Sequence, residues 1–239
     1  MPLVGLHQTR TFSSPVLSSA GVDANVVRGN DNVLKTALNA HDADDSIHVQ
    51  SGTLANRPTT ATDGATYFCT DTQDTYSRVS GAWVQSGWAH WYLAVSDTTD
   101  QTHTATNTGK VITFNTTDLS RGTSLASSSR LTVNYAGDYN LMWSGQFTNT
   151  DSQLQDVDVW IRKNGTDIVG STGRVSVPNR HGSVDGHVLP AWNYFLTLAA
   201  NDYVELVWAV TSTTVTLQAS PASAYAPSTA SVIATLNRI

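Results

Sequence analysis

The stretch Leu131–Phe147, LTVNYAGDYNLMWSGQF, constrains the fold more than any other part of the chain. Tyr139, Leu141, Trp143 and Phe147 lie on one side of a period-two alternation that only Gly145 interrupts, and Asn140, Met142 and Ser144 lie on the other. Successive side chains of a strand point to opposite faces, so the pattern predicts a strand with one strongly apolar face. Leu131, Val133 and Tyr135 repeat it upstream of the turn signal Ala136-Gly137-Asp138, which predicts two strands meeting at a corner. An aromatic row this long needs more cover than one hairpin supplies. It demands a two-sheet sandwich, or a face shared with another chain.

The rest of the composition agrees with an all-β chain. Only 13% of the 239 residues are charged, against about a quarter in ordinary globular proteins, so solubility must rest on Ser, Thr, Asn and Gly. Among the 19 acids Glu205 is the only Glu; Asp favours turns, whereas Glu favours helices. A net charge of −6 with 13 scattered Lys and Arg argues against a nucleic-acid binder, which needs a basic patch. Cys69 is alone, which excludes an intrachain disulfide and a cysteine-based zinc cage. The start Met1-Pro-Leu-Val-Gly5 lacks the pattern of a signal peptide, and no apolar run is long enough to span a bilayer, so a soluble product made in a cytoplasm is expected.

In chain order, residues 1–50 read as an N-terminal attachment arm. Residues 1–28 have little periodicity and predict an extended tail ordered against a partner. Asn30-Asp31-Asn32 then reads as a cap before Val33, Leu34, Ala37 and Leu38, predicting one short helix of about three turns that ends near Asn39-Ala40. So short a helix needs packing from the body or from other chains. His41, Asp42, Asp44, Asp45 and His48 follow, a cluster that would suit a divalent cation or serve as a polar helix exit; the spacing of a calcium loop is absent. No metal is assigned there.

Residues 51–90 read as a linker and a small β-meander. Thr53-Leu-Ala-Asn-Arg-Pro58, Tyr67-Phe-Cys-Thr-Asp-Thr72, Tyr76 and the closing Gly81-Ala82-Trp83 resemble a module common in bacteriophage tail fibres and other virion proteins. The resemblance implies a connector between an attachment arm and a distal head. Cys69 falls in the first meander strand with no base beside it in sequence, which predicts a buried structural thiol.

Residues 91–239 carry about ten short strand candidates, which predicts a β-sandwich head with jelly-roll or Greek-key winding. Lys163-Asn164-Gly165-Thr166 predicts a two-residue hairpin, because Asn-Gly tolerates positive φ. Gly137-Asp-Tyr-Asn-Leu141, Val159-Trp-Ile-Arg-Lys-Asn-Gly165, Leu196-Thr-Leu-Ala-Ala-Asn-Asp-Tyr-Val-Glu-Leu206 and Ser231-Val-Ile-Ala-Thr-Leu236 resemble, in order, strands of the tumour-necrosis-factor and complement-globular-head jelly rolls. Asn201 stands where that family usually has Gly. The resemblance implies a compact homotrimer with the strand bearing Tyr139, Leu141, Trp143 and Phe147 in its core or facing the threefold axis.

Together these readings imply a non-enzymatic virion subunit without cofactors: a homotrimeric capsid decoration or head-fibre protein, bound through residues 1–50 to the major capsid protein or another virion protein. The alternative is a tail-fibre receptor-binding protein that recognises host surface glycans. Its candidate ligand loop holds His181, Asp185 and His187, with Trp192 just beyond. The same polar loop could simply satisfy backbone groups. Asp156 and Asp158, on one strand face about 6–7 Å apart by strand rise, overlap glycosidase carboxylate spacing, but a solvated sheet face looks the same. No nucleophile elbow or phosphate-cradling glycine motif is present, so no catalytic residue is assigned.

Overall fold

The computed structural model describes residues 24–43, 48–87 and 90–239. Helix α1 spans Ala24–Ala43, longer than the sequence pattern predicts, and Asn30-Asp31-Asn32 lies inside it rather than capping it. Gly29 costs a helix about 1 kcal/mol relative to Ala, which weakens but does not end it. From Asp31 to His41 every side chain is exposed, including Val33, Leu34 and Leu38. The extended tail expected over residues 1–28 is instead helical from Ala24 onward, and its part before residue 24 lies outside the described residues.

The connector holds four strands, one more than the meander predicted: β1 (Val49–Gly52), β2 (Thr66–Cys69), β3 (Thr75–Val79) and β4 (Ala82–Gly87), in that spatial order. The added strand β1 runs parallel to β2. Arg57 lies over the Tyr76 ring at 4.3 Å, and the Trp83 indole donates to the Pro58 carbonyl at 2.6 Å. Thr53-Leu-Ala-Asn-Arg-Pro58, read as linker, is therefore packed against the sheet.

The head continues with β5 (Tyr92–Asp97), β6 (Gln101–Thr102), β7 (Lys110–Val111), β8 (Thr116–Arg121), β9 (Thr123–Ala126) and β10 (Arg130–Val133). Next come β11 (Gly137–Gly145), β12 (Phe147–Asn149), β13 (Gln155–Lys163), β14 (Thr166–Asp167) and β15 (Gly173–Val177). The chain ends with β16 (Gly186–Val188), β17 (Ala191–Leu198), β18 (Tyr203–Val210), β19 (Val215–Leu217) and β20 (Val232–Arg238). One sheet has the order β17-β11-β20-β5-β8. The facing sheet has the order β14-β13-β18-β10-β9, with β15 on β13 and β7 on β18, and a further ladder runs β16-β12-β19-β6. The chain passes from β10 in one sheet to β11 in the other, back to β13, and returns again through β17, β18 and β20. This is an all-β sandwich wound as a jelly roll.

The core lies between the sheets. Leu93, Tyr139, Leu141, Leu236 and Leu198 of one meet Leu131, Val159, Ile161, Leu206 and Trp208 of the other. Two tight turns use the left-handed backbone where the sequence has Asn: Asn164 has φ +48° before Gly165 at +82°, and Asn201 has φ +68°. Asn tolerates this region far better than most residues, so Asn201 fills the glycine-type position without a glycine.

The connector and head are joined through a buried ion pair. Arg238, at the end of β20, donates to both Asp74 carboxylate oxygens at 2.8 and 2.7 Å and to the Thr72 carbonyl at 3.0 Å. The two charged side chains are only 7% and 3% exposed.

Candidate functional site

Tyr139, Leu141, Trp143 and Phe147 are all buried between the two sheets of their own chain. The aromatic row thus points inward, toward the facing sheet, and not toward a threefold axis. Tyr139 donates its hydroxyl to the Tyr135 carbonyl at 2.8 Å, and its burial pushes the phenol up to about 12. Phe147 rests against Trp208 with ring centroids 5.7 Å apart.

The open side of the same sheet is a different surface. Strand alternation sends Asn140 and Met142 of β11 outward, with Asn193 and Phe195 of β17, Ile233 and Thr235 of β20, Tyr92 and Ala94 of β5 and Leu119 of β8. Register places Asn193, Met142, Thr235, Ala94 and Leu119 in one row across the five strands, and Phe195, Asn140, Asn237 and Tyr92 in the next. Phe195 is 67% exposed, Leu119 62%, Ile233 50% and Met142 49%. No charge interrupts these two rows until Arg121 at the β8 end, and Asp138 stands one rung beyond Asn140 on β11. Asn140 Oδ1 is shielded from water yet has no hydrogen-bond partner among the described residues. Soluble surfaces seldom gather large exposed apolar side chains on one uncharged sheet face.

The predicted ligand loop does not converge. His181 bridges Val184 in a tight turn, through backbone hydrogen bonds of 2.9 and 3.1 Å. His187 lies on β16, with Nδ1 3.3 Å from the Thr148 hydroxyl. Trp192 covers Gly173 of β15, where any side chain would collide with its ring. Asp185 is half-buried. Among the described residues no three potential ligands of a metal come together. In the arm, the His41 and His48 rings meet edge to face at 5.2 Å, while Asp44 and Asp45 lie outside the described residues.

Asp156 and Asp158 share the outer face of β13, but neither stands as a free carboxylate. Arg174 grips Asp158 with two hydrogen bonds of 2.8 and 2.7 Å, and Ser176 donates to Asp156 at 2.7 Å. Cys69 is buried in β2, and burial raises its thiol pKa, which disfavours the thiolate. Sequence reasoning missed the outward residues of the five-stranded sheet, because Met142, Phe195, Ile233 and Leu119 come from four separate strands. Their signal was the alternate face of the row that drew attention. No protein-family model matches the chain, and the comparison with curated proteins found no match.

Proposed function

We propose that this chain is a non-enzymatic structural subunit of a virus particle, a homotrimeric capsid decoration or head-fibre protein anchored by residues 1–50. The observation that carries self-association is the outer face of β17-β11-β20-β5-β8, whose two central rows hold no charge before Arg121, with Met142, Phe195, Ile233 and Leu119 open to solvent. A neighbouring copy would cover these side chains. The virion assignment is supported by the resemblance of residues 53–83 to phage connectors, and threefold closure by that of the head to trimeric jelly rolls. Helix α1 adds a second exposed apolar stripe, Val33, Leu34 and Leu38, on the segment assigned to the major capsid protein or another virion partner. Three arms held together bind a multivalent surface far more tightly than one.

The reading is tested in solution and on particles. Sedimentation should give three times the chain mass, and Met142→Asp with Ile233→Asp should give a folded monomer. Deleting residues 1–50 should abolish incorporation into virions while leaving a trimer. A monomeric wild-type chain, or normal virion occupancy by the truncated one, would refute the proposal.

A further inference from the structure

The opposite side of the sandwich carries a groove of about 530 Å³. Its floor is the outward row of β13, Asp156, Asp158 and Trp160; Asn107 and Gly109 form one wall, and the loop after Asp167 forms the other. Each part has a local cause. Asp, Asp and Trp alternate with buried Val157, Val159 and Ile161, so strand geometry aligns all three outward. The Trp160 indole sits beside the Asp167 carboxylate, which accepts from Arg162 Nε at 2.7 Å and is held below its ordinary pKa first by Arg162 and then by the indole. A Cβ on Gly109 would come within 2.8 Å of the six-membered ring, so glycine leaves the indole its place.

The charges in the groove narrow the ligand class. Asp158 and Asp167 are already neutralised by Arg174 and Arg162, although their oxygens keep lone pairs for further donors. Asp156 accepts from Ser176 at Oδ1, and among the described residues nothing donates to Oδ2. A divalent cation has no cage of three ligands among the described residues, and an anion would meet three carboxylates. A wholly apolar ligand would strip water from Asp156 and return no hydrogen bond. What fits is a neutral molecule with several hydroxyl donors and one flat C–H face. We propose that the groove binds a neutral saccharide unit, stacked on Trp160 with its hydroxyls donated to Asp156 and Asp158. This surface is separate from the 181–192 loop. It lies on the other sheet from the assembly face, so binding there stands whether or not the chain trimerises.

The test is a titration of the full chain with neutral oligosaccharides of hexose and N-acetylhexosamine units, read by the Trp160 indole N–H resonance. Saturable shifts are expected with at least one sugar; calorimetric titration, which needs no Trp160 signal, then reads the variants, and Trp160→Ala should weaken that sugar's binding by at least about tenfold. Asp156→Ala, at a surface position that disturbs one hydrogen bond to Ser176, should weaken it comparably and serves alone if the Trp160 variant fails to fold. The proposal is overturned if no sugar of the panel shifts that resonance, or if Asp156→Ala binds as the parent does. It fails equally if calcium or magnesium produces the shift and the sugars do not.

Discussion

Three buried titratable side chains, Arg238, Asp74 and His103, decide how single residues hold this molecule together. Arg238 and Asp74 are almost wholly removed from water, and each satisfies the other with two short hydrogen bonds. Such a pair adds little over a matched apolar packing, but removing one partner strands the other charge. Arg238→Ala should therefore cost about 3–5 kcal/mol, measured by urea unfolding. His103 acts through pH. It is buried edge-on to Trp208 at 4.4 Å with Nε2 3.1 Å from the Trp208 carbonyl. Burial lowers its pKa, the carbonyl opposes this, and Lys110 lowers it further. In the unfolded chain the ring titrates near pH 6.5. The folded state thus takes up the proton at lower pH than the unfolded state. Its contribution to stability is complete above about 6.5 and declines as pH falls toward the folded pKa. The urea midpoint should drop between pH 7.5 and 5.5, and His103→Gln should lose part of that drop.

At the scale of the strand, β11 separates folding from assembly residue by residue. Trp143 faces the core, so Trp143→Ala should cost about 3–5 kcal/mol and leave a fraction unfolded at ambient temperature. Met142 faces outward, so Met142→Asp should change the stability of the isolated fold by no more than about 0.5 kcal/mol while weakening self-association. Urea unfolding beside sedimentation distinguishes the two outcomes. Alternation explains why β11 and β13 were legible in the sequence, since one apolar face in each gives a visible period, whereas β18, buried on both faces from Val204 to Trp208, shows instead as a dense apolar run. β8 was not legible, because all six of its residues, Thr116–Arg121, are exposed and only its pairing with β5 makes it a strand. β15 and β16 are short and pair with neighbours distant in sequence, which no local pattern announces. The groove was half legible. Asp156 and Asp158 stood out as a same-face pair, but Trp160 became its floor only when residues 107–109 and 167–170 closed around it. The grip of Arg174 on Asp158 likewise depends on a strand the sequence did not reveal.

For the whole molecule, the connector closes one end of the sandwich instead of trailing from it. Arg238 continues the inward row of Val232, Ala234 and Leu236, and where that row leaves the core the Thr72–Asp74 turn meets it. Arg238 also passes close to Gly137, where a Cβ would come within 2.6 Å of Nε. The first residue of β11, the last strand β20 and the connector therefore form one corner. Cutting the chain on either side of the connector separates its two roles. A chain beginning at residue 48 keeps Asp74 over Arg238 and should melt within a few degrees of the full chain, since exposed helix α1 adds few contacts to the head. A chain beginning at residue 90 leaves Arg238 without its carboxylate and uncovers that corner. Losing about 3–5 kcal/mol in a domain of this size corresponds to a fall in Tm on the order of ten degrees. Restoring Arg238→Met in the shorter chain should recover part of that loss, because an apolar side chain has no stranded charge. Equal melting temperatures for the two truncations would show that the ion pair does not couple connector to head.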